Sequence, residues 1–371
     1  MPKVFAQAYG CPSNIADFEI ALGLLKQAGF DVAESPEEAD LHIIFTCVVK
    51  SPTESRMVNR IKQLVAAQKP LIVAGCMPKV EQRLIEKIAP EASMLGPDSV
   101  EAVVEVARAA LEGKKVIFTK DLRKPKLCLP RVRKSERVCI IEISNGCLSS
   151  CSYCIVKFAR GRLRSYPIEK IVDEVRTAVN NGCKEIWLTS QDNGCYGVDI
   201  GTSLPELLKA VCAVPGDYTI RVGMMNPTHV KPIVDELIEA YKNEKIQKFL
   251  HLPLQSGSNR VLKTMKRGYT VEEFVNIVEK FRKEIPNLFL STDVIVGFPT
   301  EESSDFNLTL KLIKNLKFDK VNISKFGPRP GTLANKMKQL NTKIINQRSK
   351  ILHKTVEKIQ LEIKKKYRKH L

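Results

Sequence analysis

The sequence predicts an α/β protein in two parts, an open parallel α/β domain followed by a (βα)6 partial barrel of parallel strands. Three observations carry this expectation. The N-terminal stretch repeats one unit, in which an apolar strand leads to a cysteine-bearing turn and then an amphipathic helix. A second series of strand and helix alternations begins at Val138. The chain's 371 residues, with 44% hydrophobic and 27% charged content, are those of a folded protein too long for one average domain.

In chain order, Lys3 to Tyr9 reads as a strand and Asn14 to Ala28 as a helix stopped by Gly29. Leu41 to Thr46 is a second apolar strand ending at Cys47, with a helix from about Pro52. Leu71 to Ala74 is a third, ending at Gly75 and Cys76 before a helix near Val80. In a parallel α/β sheet the carboxyl ends of the strands share one edge, and ligands bind there. Cys11, Cys47 and Cys76 therefore converge in space although far apart in sequence. Residues 1–119 make this domain, and 120–137 a linker rich in Lys, Arg and Pro. The barrel occupies 138–340, with strands at Val138 to Ile143, Glu185 to Ser190, Thr219 to Met225, Lys248 to Leu254, Leu288 to Val296 and Lys320 to Phe326. Helical patterns such as Pro167 to Asn181 and Val271 to Lys283 lie between them. Residues 341–371 read as a long basic helix with apolar positions Ile344, Ile345, Ile351, Leu352, Val356, Ile359 and Ile363.

Charge and cysteine content narrow the function. The net charge is +18, concentrated in two stripes: Lys120 to Arg137 carries eight Lys/Arg against two acids, and Thr342 to Leu371 ten against two. Such stripes suit a polyanion, or else a solvated linker and helix face. The N-terminus has no secretory pattern and no run approaches the roughly 18 apolar residues of a membrane span, so the chain is read as cytoplasmic, with no membrane partner. Eleven cysteines, an odd number in a reducing compartment, argue for thiolate ligands rather than a disulfide framework.

The strongest signal follows the first barrel strand. Asn145, Gly146, Cys147, Leu148, Ser149, Ser150, Cys151, Ser152, Tyr153 and Cys154 form a Cys-x3-Cys-x2-Cys run. Three thiolates from one short loop hold three irons of a [4Fe-4S] cube and leave the fourth open, whereas an electron-transfer cube is closed by four cysteines. A zinc site is the alternative, but zinc usually takes Cys-x2-Cys pairs closed by a fourth Cys or His, and no histidine lies near this loop. Cys128, Cys139, Cys183, Cys195 and Cys212, outside both triplets, are expected as buried apolar thiols.

The spacing of this loop, with Tyr153 just before its third cysteine, is the radical S-adenosylmethionine (SAM) signature. Together with the Cys11, Cys47, Cys76 triplet it resembles the methylthiotransferase family. Further matching stretches are Tyr9 to Asn14, Ala74 to Cys76, Ala159 to Arg162, Leu252 to Gly257 and Asp293 to Glu301. The segments Glu185 to Asp192, Tyr196 to Gly197 and Arg221 to Pro227 look like the archaeal and eukaryotic branch. That branch converts threonylcarbamoyladenosine, next to the anticodon in tRNA, to its 2-methylthio derivative.

The resemblance implies a radical SAM barrel and two [4Fe-4S] clusters, an auxiliary one on Cys11, Cys47 and Cys76 and a SAM-binding one on Cys147, Cys151 and Cys154. It implies SAM contacts at Tyr153, Ser190, Gln191, Gln255 and Gly297, a tRNA anticodon loop as substrate and an electron donor for cluster reduction. Replacing an unactivated C2–H needs a carbon-centred radical, so no side-chain acid or base is assigned. The small C-terminal β-barrel usual in the family is expected to be absent. tRNA contacts are expected from Lys364, Lys365, Lys366, Arg368 and Lys369. Two related activities remain open, on a ribosomal-protein aspartate or on isopentenyladenosine in tRNA, as does a non-catalytic, metal-stapled RNA-binding module.

Overall fold

The structure, a computed structural model, describes residues 1–48, 51–122 and 124–368, with side chains other than those of 51–53 and 364–368. It divides into two compact units. The first comprises Met1–Cys147 and Ile155–Gln191, the second Leu148–Cys154 and Asp192–Leu371.

In the first unit six parallel strands form one sheet: β1 (Lys3–Ala8), β2 (Asp31–Val32), β3 (Leu41–Thr46), β4 (Leu71–Gly75), β5 (Ser93–Leu95) and β6 (Ile117–Phe118), in the order β2-β1-β3-β4-β5-β6. Every residue of β3 and β4 is buried, as expected of central parallel strands covered on both faces. The helix Pro12–Gln27 starts with its proline in the first turn, where a missing N–H costs nothing. Leu22, Leu25, Ile43, Val103 and Val106 pack together on one side of the sheet, and Ile44, Met57, Ile61, Val73 and Ile85 together on the other. The three expected strands of this region are all present. β2, β5 and β6 were not expected, because two or three residues are too short to show a period of two.

The six strands expected of the barrel also form. β7 (Val138–Glu142) lies in the first unit, followed by the short antiparallel pair β8 (Ser144–Asn145) and β9 (Arg164–Ser165) and by β10 (Glu185–Thr189), parallel to β7. The second unit holds β11 (Thr219–Val222) and the parallel set β12 (Phe249–His251), β13 (Phe289–Val296) and β14 (Lys320–Lys325). β12 is shorter than the expected Lys248 to Leu254, since Pro253 has no N–H for the ladder and Gln255 takes a left-handed φ of 66°. The helices between strands carry strong start signals, with capping boxes of Ser203 with Glu206 and Thr270 with Glu273. The long helix Thr342–Arg368 buries Leu352, Val356 and Ile359 and anchors Arg348 on Glu301 at 2.6 Å.

Four of the five remaining cysteines depart from the expected buried thiol. Cys139 and Cys183 are buried but closed as a disulfide, because the register that places Ile186 opposite Cys139 brings the turn before β10 alongside β7. Cys128 is exposed at a left-handed turn of the linker, with φ 57°. Cys195 is buried as expected, and Cys212 is partly exposed at the last turn of the helix Leu204–Cys212.

Candidate functional site

The carboxyl ends of β1, β3 and β4 each run directly into a cysteine-bearing turn, and the backbone ties these turns together. Tyr9 N–H donates to Phe45 O at 2.9 Å and Cys76 N–H to Thr46 O at 3.0 Å. Two glycines permit the approach. A Cβ on Gly10 would stand 2.6 Å from Cys47 Cβ, and one on Gly75 would stand 2.5 Å from Thr46 O. Both also have left-handed φ values, 110° and 89°, that side chains rarely adopt. Cys47 and Cys76 are buried, Cys11 is exposed, and all three are thiols rather than halves of a disulfide.

Arg160 faces this cluster. Burial raises the pKa of the Cys76 thiol, and the Arg160 guanidinium, hydrogen-bonded to it, pulls the other way. Arg160 lies 2.8 Å from Asp17 Oδ2 and 3.4 Å from Glu142 Oε1, while Lys126 pairs with Asp17 and, at 2.8 Å, with Glu142 Oε2. The two cations and two carboxylates are all buried, so each charge has a counter-charge in the network. Burial opposes the charge on Arg160, but Asp17, Cys76 and Glu142 more than offset it and hold its pKa well above the ordinary value.

Three thiols on one sheet edge beside a cation are a soft donor set, which suits an iron–sulfur cube bound by three ligands. Asn14 Oδ1, buried there without a hydrogen-bond partner and 2.8 Å from where a Gly75 Cβ would sit, lines the same cradle.

The second triplet lies on the loop after β8. Gly146 has φ 83°, and a Cβ there would fall 2.0 Å from Arg162 O, so only glycine fits. Its N–H donates to Gln191 Oε1 at 2.6 Å, and Gln191 Nε2 donates to Ser13 Oγ at 3.3 Å. Cys147 N–H donates to Gly161 O at 3.3 Å. These residues belong to the first unit; Cys151 and Cys154 belong to the second. There Ser152 anchors the loop: its N–H donates to Met265 O at 3.0 Å, its hydroxyl to Thr264 O at 2.8 Å, and its carbonyl accepts from Ala334 N–H at 2.8 Å. Cys147 is half-exposed at the edge of the first unit, and Cys151 and Cys154 are half-exposed on a segment of the second that backbone bonds hold.

The other expected site residues take distinct places. Tyr153 packs edge-on against Phe298, ring centroids 6.4 Å apart. Ser190 is half-buried just past β10. Gln255 Oε1 is buried with no hydrogen-bond partner. Gly297 sits at the end of β13 with φ 79°, and a Cβ there would meet Ile345 Cγ1 at 2.5 Å, so close packing by itself demands glycine. Lys364, Lys365, Lys366 and Arg368 occupy the last turns of the long helix, where side chains lie outside the described residues, and Lys369 lies outside them altogether.

Arg267, which has no spacing signal, emerges only from the fold and donates to Cys151 Sγ at 3.2 Å, whereas Arg160 lies in the matching stretch Ala159 to Arg162 and gains its place beside Cys76 from the fold. The fold also assembles Asp192, Cys195 and His229, whose ligand-type atoms all lie within 4.8 Å of one another. Those atoms are already engaged. Asp192 Oδ1 accepts from Gly194 and Asn226 N–H, Oδ2 lies 2.7 Å from His229 Nδ1, and Cys195 Sγ donates to Asp192 O at 3.2 Å, which makes the trio a clasp for the turn after β10. Among the described residues no helix is long and apolar enough to cross a membrane.

Comparison with known proteins places this geometry in context. The Radical SAM superfamily matches residues 141–313, and the uncharacterized protein family UPF0004 matches residues 3–96. A protein of Pyrococcus abyssi named a probable threonylcarbamoyladenosine tRNA methylthiotransferase is 46% identical over 99% of this chain and 87% of its own length. The human protein named threonylcarbamoyladenosine tRNA methylthiotransferase is 38% identical over 94% of this chain and 62% of its own. Among solved structures, the radical SAM methyltransferase TsrM from Kitasatospora setae shares the fold at TM-score 0.66 and 14% identity, covering 90% of this chain and 77% of that one.

Proposed function

We propose, because this chain belongs to the threonylcarbamoyladenosine tRNA methylthiotransferase family, that it places a methylthio group on C2 of threonylcarbamoyladenosine next to the anticodon of tRNA. The observation that carries this reading is the meeting of Cys11, Cys47 and Cys76 at one sheet edge, in a chain that also holds the Cys-x3-Cys-x2-Cys loop. Cys11, Cys47 and Cys76 hold an auxiliary [4Fe-4S] cluster, and Cys147, Cys151 and Cys154 hold the cluster that binds SAM. When bound, the two clusters supply an electron that cleaves SAM to a 5'-deoxyadenosyl radical and an open iron at which a sulfur can sit.

The chain's own residues bind and orient. Residues 1–119 present the auxiliary site and 138–340 the SAM site. Gln191 fixes the start of the cysteine loop through Gly146 N–H. Tyr153, Ser190, Gln255 and Gly297 are the further SAM-binding positions of this reading, and the unpartnered Gln255 Oε1 is an acceptor open to a ligand donor. The adenine is splayed from its loop, which single-stranded RNA permits at low cost. A one-electron donor is a further partner of the chain in this reading.

Mass spectrometry of nucleosides tests this directly. Reconstituted, dithionite-reduced protein with SAM is expected to convert threonylcarbamoyladenosine in tRNA, and to prefer it over isopentenyladenosine by roughly 100-fold or more in kcat/KM. A site built for the polar carboxylate and hydroxyl leaves its own groups unpaired against an apolar side chain. Equal turnover of the two tRNAs would remove the substrate assignment.

The basic stretches 120–137 and 341–371 supply the tRNA-binding charge through the cations other than Lys126, Arg131 and Arg348, which are buried in ion pairs. Changing Lys364, Lys365, Lys366, Arg368 and Lys369 to Glu is expected to weaken tRNA binding and flatten its salt dependence, by roughly 0.7–0.9 in d log K/d log[salt] for each phosphate no longer neutralised. SAM cleavage without tRNA should be unaffected. A parental slope in filter binding across a salt series would show that the terminal helix does not touch tRNA.

A further inference from the structure

Arg267 carries a charge that no acid answers. The residue is only 7% exposed, yet its guanidinium meets no carboxylate: Nη1 lies 3.2 Å from Cys151 Sγ and 3.5 Å from Tyr153 Oη, and Nη2 donates to Asn226 Oδ1 at 3.0 Å. Nε is buried with no hydrogen-bond partner, and the ring of Tyr269 lies 5.4 Å from the guanidinium carbon. Among the described residues no carboxylate pairs with it. Asp192 is reached only through Asn226, whose N–H donates to Asp192 Oδ1 at 2.9 Å, and Asp192 is itself paired with His229. Arg160, equally buried, has Asp17 and Glu142 beside it. A buried cation without a counter-ion is strongly disfavoured, so the fold holds Arg267 there against a cost unless an anion arrives.

We propose that Arg267 is a positioning residue that serves as the counter-charge to the Cys151 thiolate and so eases reduction of the SAM-binding cluster. The inference rests on the reading of Cys147, Cys151 and Cys154 as cluster ligands. Reduction adds one electron, from a donor such as dithionite, to the cube; no bond forms or breaks and no proton moves. The added negative charge sits beside a buried guanidinium, and a fixed cation that also hydrogen-bonds a ligand sulfur stabilises the reduced form more than the oxidised one. Asn226 keeps the guanidinium in place, since its Nδ2 donates to Ser149 Oγ at 2.9 Å on the same loop. Thr228 Oγ1 donates to the Arg267 carbonyl and fixes its backbone.

The test uses the full chain with Cys11, Cys47 and Cys76 replaced by Ala, so that only one cluster contributes. The protein is reconstituted with iron and sulfide and titrated with dithionite while the reduced cluster is followed by electron paramagnetic resonance. At the potential where the parent is half reduced, Arg267→Gln is expected to show a reduced-to-oxidised ratio lower by about tenfold or more, and Arg267→Lys, which keeps the charge, a ratio within about threefold of the parent. The iron-free Arg267→Gln protein is expected to unfold at the parent's temperature or above it, because without a cluster the cation has no anion to answer. A parental ratio in Arg267→Gln, an Arg267→Lys protein as hard to reduce as Arg267→Gln, or an iron-free Arg267→Gln protein that unfolds well below the parent or fails to fold would each overturn the proposal. Failure of the underlying reading is separately visible, as a parent that takes up no iron at this loop.

Discussion

Replacing Cys147, Cys151 and Cys154 together by Ala is expected to remove about four irons per chain, one cube's worth, and to take 5'-deoxyadenosine formation down to the uncatalysed background. The loop itself should survive. Its anchors are backbone and Ser152 bonds to Met265, Thr264 and Ala334, none of which uses a sulfur, and the three thiols are only half-buried, so little core packing is lost. A loss of stability within about 1 kcal/mol is therefore expected for the iron-free protein. Iron and sulfide assays, with chromatographic detection of 5'-deoxyadenosine, read the result. Parental 5'-deoxyadenosine in the triple variant would place SAM cleavage elsewhere.

The complementary replacement of Cys11, Cys47 and Cys76 by Ala is expected to remove another four irons or so and leave SAM cleavage running, while the methylthio product disappears entirely. Cys47 and Cys76 pack in the core with Ile44, Met57, Met77 and Ile85, so their truncation leaves small voids that cost on the order of 1 kcal/mol each. The ion-pair network of Asp17, Lys126, Glu142 and Arg160 carries no net charge and its four pairs use no sulfur, which argues that the fold persists. The decisive reading is the ratio of methylthio nucleoside to 5'-deoxyadenosine. A ratio equal to the parent's would make the auxiliary site dispensable and defeat the functional reading.

Much of the fold was legible in the sequence because its signals are local. β1, β3 and β4 are runs of apolar residues ending in turns, and buried parallel strands need nothing more to be visible. The short strands β2, β5 and β6 were not legible, because they are recruited by pairing with neighbours already in place. The same holds for the closure of Cys139 on Cys183, which depends on the register of β10 against β7.

The sequence by itself determined which thiols are grouped, since the Cys-x3-Cys-x2-Cys loop is contiguous and the other three cysteines each follow a recognisable strand. It also determined the kind of chemistry such a donor set supports. Only the tertiary structure decided the electrostatics around those thiols. Arg267 looks like any of the chain's 59 Lys and Arg residues, and Arg160, though part of the stretch Ala159 to Arg162, shows no role in the sequence, until packing buries them. Arg160 meets Asp17 and Glu142, whereas Arg267 meets Cys151, 116 residues away along the chain, and no acid. The physical reason is that a charge acquires its meaning from desolvation and from its partners. Both are set by long-range packing, which leaves no periodic trace in the sequence.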